Sequence, residues 1–237
     1  MQQPDFIKAV FEFVILIFSL CVHECAHAWM ASRLGDQTAR LQGRITLNPM
    51  YHVDPVGTLL FPALMIFGPF IGFSMFGGML VGWAKPTPVI TRNFRKIVRD
   101  DNLTTLAGPV SNLLIVLVAF LVLVVISIAV PNGRLLVLST FQGSIVLDAP
   151  SAPQALVLLS TLAILINLSL CFFNLLPIPP LDGSRVVRNL LPYNAVQAYD
   201  RVPMWASYLL MIFLGPAILM AFLRPMLRLV FWGLLHV

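Results

Sequence analysis

Residues 113–130 read Leu-Leu-Ile-Val-Leu-Val-Ala-Phe-Leu-Val-Leu-Val-Val-Ile-Ser-Ile-Ala-Val, with no charge and a single hydroxyl. A run of about 18 apolar residues is long enough to cross the hydrocarbon core of a bilayer as a helix. The rest of the chain agrees. Of its 237 residues 59% are hydrophobic and 11% charged, and the mean hydropathy is +0.90. Soluble domains carry roughly 25% charged and about 45–50% apolar residues. More than half of a folded surface is apolar by default, so water has no room for this excess. The composition excludes a soluble enzyme and a disordered tail. It predicts an all-α polytopic membrane protein, one domain over 1–237, with about five or six membrane segments.

Working outward, the quoted run belongs to a segment from Leu103 to Val130. Before it lie Phe6–Leu34 and Val56–Ala84; after it lie Ala155–Leu181 and Met204–Leu223. The region 204–237 reads either as one span plus an interfacial helix or as a tighter hairpin. No internal repeat or soluble accessory segment is present. Lys and Arg number 15 against 10 acidic residues, for a net charge of +5. These cations sit in short loops, which reads as topology and not as a nucleic-acid surface. Lys85, Arg92, Arg95, Lys96 and Arg99 crowd 85–102; Arg33, Arg40 and Arg44 crowd 33–44; Arg185, Arg188 and Arg201 crowd 184–203. Residues 131–152 carry only Arg134. The positive-inside rule puts the first three stretches in the cytoplasm and the last outside.

That assignment obliges Val56–Ala84 to leave and return on one side. Its 29 residues reach about 43 Å as helix, whereas two crossings need about 60 Å. Six glycines with Pro62 and Pro69 favour a re-entrant or broken segment. Gly43-Arg44-Ile45-Thr46-Leu47 has strand-like character and predicts a short β-hairpin near the membrane surface. Cys21, Cys25 and Cys171 lie in apolar segments and form no disulfide framework. The apolar stretch 6–22 lacks a small-residue cleavage site and runs instead into His23-Glu24.

His23-Glu24-Cys25-Ala26-His27 is the chemical centre of the first segment. At 100° per residue, His23 and His27 stand one turn apart about 40° around the helix, so both imidazoles reach one ion. Cys25 points to the opposite face. Glu24 is on the flank, where a carboxylate holds a water beside that ion, the arrangement used by zinc metalloproteases. The bland alternative is polar glue between helices. A catalytic zinc needs a third protein ligand. Asn174-Leu175-Leu176-Pro177-Ile178-Pro179-Pro180-Leu181-Asp182-Gly183 cannot stay helical through three prolines. It delivers Asp182 at the same cytoplasmic depth as the histidines, unless Asp182-Gly183 is an ordinary turn.

Asn167, Cys171 and Asn174 share a helix face. Asn174 is the candidate for holding substrate backbone or an oxyanion, against helix–helix glue as the alternative. Asn112, behind Gly108-Pro109, reads as a close-packing residue. His52 either lines the site and assists the transition state or sits in an interfacial loop with Asp54.

The chain resembles the site-2 protease family of intramembrane zinc metalloproteases. The residues that carry the resemblance are His23 to His27, Gly108-Pro109-Val110-Ser111-Asn112 and Asn174 to Gly183. Gly43 to Gly57, with Asn48-Pro49 and His52-Val53-Asp54-Pro55, and Gly82-Trp83-Ala84-Lys85-Pro86 resemble a compact prokaryotic subgroup. The match covers residues 6–190, with 204–237 as a C-terminal membrane segment. The resemblance implies Zn2+ bound by His23, His27 and Asp182, with Glu24 activating water. It further implies hydrolysis of a transmembrane protein or peptide substrate in a prokaryotic inner membrane. Many members carry a PDZ or CBS domain, and none is recognisable here. Two other classes fit parts of the pattern. A transporter predicts an inverted repeat, which is absent from the sequence; a silent membrane scaffold has no need of an intact Glu24.

Overall fold

The computed structural model describes residues 6–72, 84–143 and 151–236. The described residues form helices and turns without a strand. Ten α-helices follow in order: α1 Phe6–Leu34, α2 Thr38–Leu41, α3 Phe61–Phe67, α4 Ile97–Ala129, α5 Gly133–Phe141, α6 Ala152–Asn174, α7 Asp182–Leu190, α8 Tyr193–Asp200, α9 Met204–Phe213 and α10 Gly215–Leu235. Four of them, α1, α4, α6 and α10, are long and apolar enough to cross a membrane. The strand-like reading of 43–47 is corrected: these residues make turns and bends. Gly43 takes a left-handed φ of 70°, which stops an extended strand from running through it.

Helices α1, α4 and α6 pack pairwise on one another. Leu123, Ile164, Leu168 and Val157 join Leu223 and Leu234 of α10 in one core; Ile15, Leu16, Leu162 and Ile166 close on Ile66 of α3 in another. Polar residues point inward: Ser19, His23, His27, Asp101, Thr104, Asn112 and Asn167 are all buried. Large apolar residues point outward, among them Phe18, Leu114, Val118, Leu121 and Val125. Only 22% of the most apolar window of α4 is buried inside the protein. Such a surface is stable only when hydrocarbon covers it.

The loops gather as their charges require. Asp36, just past α1, accepts the main-chain N–H of Ile90 at 2.7 Å and the side-chain amide of Asn93 at 2.9 Å. Arg185 of α7 donates to Asp101 of α4 at 2.7 Å. The basic stretches around 33–44, 85–102 and 184–203 therefore share one end of the bundle, with Arg134 at the far end of α4. The described chain at Lys85 lies against His52, because the N–H of Lys85 donates to the His52 carbonyl at 2.9 Å. The described stretch 53–72 is broken into short pieces: a π-helical turn over Pro55–Leu60, α3, then a 3-10 turn over Gly68–Ile71. Asp54 starts it by accepting the N–H groups of Val56 at 3.0 Å and Gly57 at 2.7 Å. Gly82 and Trp83, which contribute to the subgroup resemblance, lie outside the described residues. The C-terminal region is two helices that meet at Leu214-Gly215-Pro216.

Candidate metal centre

Helix α1 carries His23 and His27 one turn apart, as the 3.6-residue period requires. The imidazole rings stand edge to face, 4.6 Å between centroids. Their Nε2 atoms are 3.0 Å apart. Asp182 Oδ2 lies 3.1 Å from His23 Nε2 and 3.3 Å from His27 Nε2. Among the described residues this is the one cluster of three metal-ligating side chains. Zinc takes nitrogen and oxygen donors at about 2.0–2.2 Å in a tetrahedron, which places donors about 3.3–3.6 Å from each other. The three observed separations fall at or just under that spacing, so the donor set fits a zinc ion.

Two glycines make this approach possible. A Cβ on Gly108 would stand 2.5 Å from both histidine Nε2 atoms, so α4 offers the site bare backbone. A Cβ on Gly183 would stand 2.1 Å from the Leu175 carbonyl and 2.6 Å from that of Leu176. Only glycine lets the first turn of α7 seat against the end of α6 and bring Asp182 in. Pro177, Pro179 and Pro180 end α6, and Leu176, Ile178 and Leu181 bury under Phe173, Met211 and Ile218.

His27 Nδ1–H donates to the Thr104 carbonyl at 2.8 Å. That bond fixes the ring and turns Nε2, as the unprotonated nitrogen, toward the ion position. His23 and His27 are buried, and the Asp182 side chain is 16% exposed.

Glu24 sits beside the cluster, and a residue the sequence did not flag holds it. Thr87 donates its N–H to Glu24 Oε2 at 3.0 Å, and its hydroxyl lies 2.8 Å from the same oxygen. The clue is local. Thr87 stands between Pro86 and Pro88, so it carries the one main-chain donor of that tripeptide.

Asn174, at the last turn of α6, donates its amide to the Leu170 carbonyl at 2.9 Å. Asn167 donates to Ser19 of α1 at 2.9 Å, which is helix–helix glue. Asn112 is fully buried one turn beyond Gly108, and its amide atoms have no protein partner among the described residues. His52 is outside the three-ligand cluster. It is buried, and its Nε2–H donates to the Thr46 carbonyl at 2.8 Å. Arg44 donates to the carbonyls of Tyr51 and Lys85, tying the same loop to the returning chain. All three cysteines are free and none joins the ligand cluster.

Fold and site together define a membrane-embedded zinc metallopeptidase: a bundle of spanning helices with two imidazoles and a carboxylate converging between them. Comparison with known proteins gives the family. Residues 11–215 match peptidase family M50, and the chain belongs to that family of site-2-protease-like zinc metalloendopeptidases. It is 37% identical over 223 residues to "Putative zinc metalloprotease YwhC" of Bacillus subtilis, covering 94% of this chain and 84% of that one. It is 29% identical over 218 residues to "Putative zinc metalloprotease Rip2" of Mycolicibacterium smegmatis, covering 91% and 70%. The Mycobacterium tuberculosis H37Rv protein of the same name is 29% identical over 221 residues, covering 91% and 72%. No solved structure matches the chain.

Proposed function

We propose that the chain hydrolyses a peptide bond of a transmembrane substrate, with Glu24 as general base and His23, His27 and Asp182 as the zinc ligands. The observation that carries this reading is the placement of the Glu24 carboxylate, held by Thr87 beside the two histidines and Asp182. A transporter or an inert scaffold gives no role to a carboxylate fixed there.

A bound zinc ion supplies Lewis acidity, polarising the scissile carbonyl and making water more acidic. The chain's residues do the rest. Glu24 takes a proton from the attacking water as its oxygen bonds to the carbonyl carbon. It passes that proton to the nitrogen as the C–N bond breaks. Two Thr87 contacts fall on Oε2, which fixes the direction the carboxylate faces, and the Thr87 hydroxyl also lies 3.1 Å from the Glu24 main-chain carbonyl. Asn174 is assigned to the substrate backbone or the developing oxyanion. His52 is assigned to the site's support, since its bonds to Thr46 and Lys85 knit the loop next to Thr87.

A substrate helix hides its peptide bonds, so it must unwind to be cut. The irregular run 84–90 passes Glu24 at Thr87 and is the wall we assign to facing unwound substrate. The broken segment 55–71 is assigned a re-entrant path walling the site from lipid. His27 lies about 10 Å along α1 from Leu34, and Gly108 about 16 Å along α4 from Ile97. Both helix ends adjoin the basic loops, so the site is assigned to the cytoplasmic third of the bilayer.

The test is detergent-purified protein incubated with a panel of single-span transmembrane peptides, with new termini read by mass spectrometry. New termini made by the wild type and absent with Glu24→Gln support the reading. Identical termini from both proteins would overturn it.

A further inference from the structure

Helix α7 presents the third ligand, yet it has nine residues, too few to hold itself helical in isolation. Its position must come from what it touches. One mount is at its first turn, where Gly183 seats against the Leu175 and Leu176 carbonyls. The second is a polar clamp at its other end. Asp101 of α4 accepts from Arg185 at 2.7 Å on one carboxylate oxygen and from Asn189 at 2.7 Å on the other. Asn189 also donates to Asn102 at 2.8 Å. Asp101 is 5% exposed, so its charge depends on these partners.

The spacing gives the clamp a purpose beyond pairing a buried charge. Asp182, Arg185 and Asn189 fall at i, i+3 and i+7, one face of α7. Asp101, Thr104 and Gly108 fall at i, i+3 and i+7, one face of α4. The two stretches have the same rise, seven residue steps or about 10.5 Å each. They run antiparallel, so fixing Asp101 on Arg185 and Asn189 sets Asp182 level with Gly108, where the histidine Nε2 atoms lie. Thr104 orients His27 from the same face of α4. One face of α4 is thus a template that registers ligands from two other helices.

We infer that Asp101 is a positioning residue for the zinc site, holding α7 in the register that places Asp182 against His23 and His27. This rests on the metal reading above. The experiment measures zinc affinity by competition with a chromogenic chelator, alongside the melting temperature of zinc-free protein. Asp101→Asn keeps the side-chain shape and removes the charge that faces Arg185. It should weaken zinc binding about 10–100-fold, the range for residues that orient metal ligands, with the zinc-free melting temperature unchanged. Arg185→Ala should weaken binding as much, and the double variant no further. Arg188→Ala, which breaks the exposed pair between α7 and Asp200 of α8, should bind zinc as wild type does.

Affinity within twofold of wild type in Asp101→Asn would overturn the inference. So would an equal loss in Arg188→Ala, or a fall in zinc-free melting temperature in step with affinity, since either marks a general disturbance of α7. Wild type that binds no zinc would overturn the metal reading itself, a failure seen before any variant is compared.

Discussion

At the residue scale, the site depends on what two small residues leave out or hold. Gly108 leaves out a side chain where the imidazoles need room. Gly108→Ala drives a methyl to 2.5 Å from both Nε2 atoms; the ligands must separate, and overpacking of this kind costs about 1–3 kcal/mol. Such protein is expected to fold with a lowered melting temperature and to lose zinc, read by metal analysis after gel filtration. Thr87 holds the base. Thr87→Val removes the hydroxyl bond to Glu24 and leaves the N–H bond. It should lower kcat by about tenfold, the effect of one lost hydrogen bond to a charged group, with zinc content normal and Thr87→Ser restoring the rate. His52→Ala separates its two assignments. A loss of turnover with normal zinc and normal melting marks action on the reaction; loss of fold or metal marks the loop-holding role. The histidine pair, Glu24 and Asp182 were legible because helix period and proline chemistry act along the chain. Thr87, Thr104 and Asp101 were not, because their partners lie 63, 77 and 84 residues away in sequence.

At the element scale, apolar run length located α1, α4 and α6, but not α10, because the expected span Met204–Leu223 crosses the break at Leu214-Gly215-Pro216 and is shared between α9 and α10. Their polar inner faces were harder to read, because the outer face in lipid is as apolar as a core. Strand character at 43–47 misled, since β-branched Ile45 and Thr46 sit beside Gly43 in a left-handed turn. What holds this loop end is polar. Burial alone would raise the Asp36 pKa, but hydrogen bonds from Thr38, Asn93 and the Ile90 N–H outweigh it and hold the carboxyl below its ordinary value. A depressed folded pKa stabilises the fold above the unfolded value, about 3.9, and that stability is lost as pH falls through the lower folded value. Thermal melts should therefore fall on acidification below about pH 4, and fall less steeply in Asp36→Asn. Equal slopes in the two proteins would show that Asp36 carries none of the acid sensitivity.

At the scale of the whole molecule, charge and hydrophobic pattern together specify an inside-out bundle whose basic loops meet at one end. The orientation proposed above rests on that asymmetry. With the three native cysteines replaced, Arg92→Cys should react with an impermeant thiol reagent only from the cytoplasmic face, and Arg134→Cys only from the outer face. The reverse pattern would put the site on the outer side.

The central claim is that three side chains from two distant segments hold one catalytic zinc with Glu24 beside it. Its most direct test is the zinc content of detergent-purified wild type, His27→Ala, Asp182→Ala and Glu24→Gln, all checked as folded. About one zinc per chain is predicted for wild type and Glu24→Gln, with neither ligand variant retaining it and Glu24→Gln inactive. Folded wild type without zinc, or Asp182→Ala that keeps it, would contradict the account.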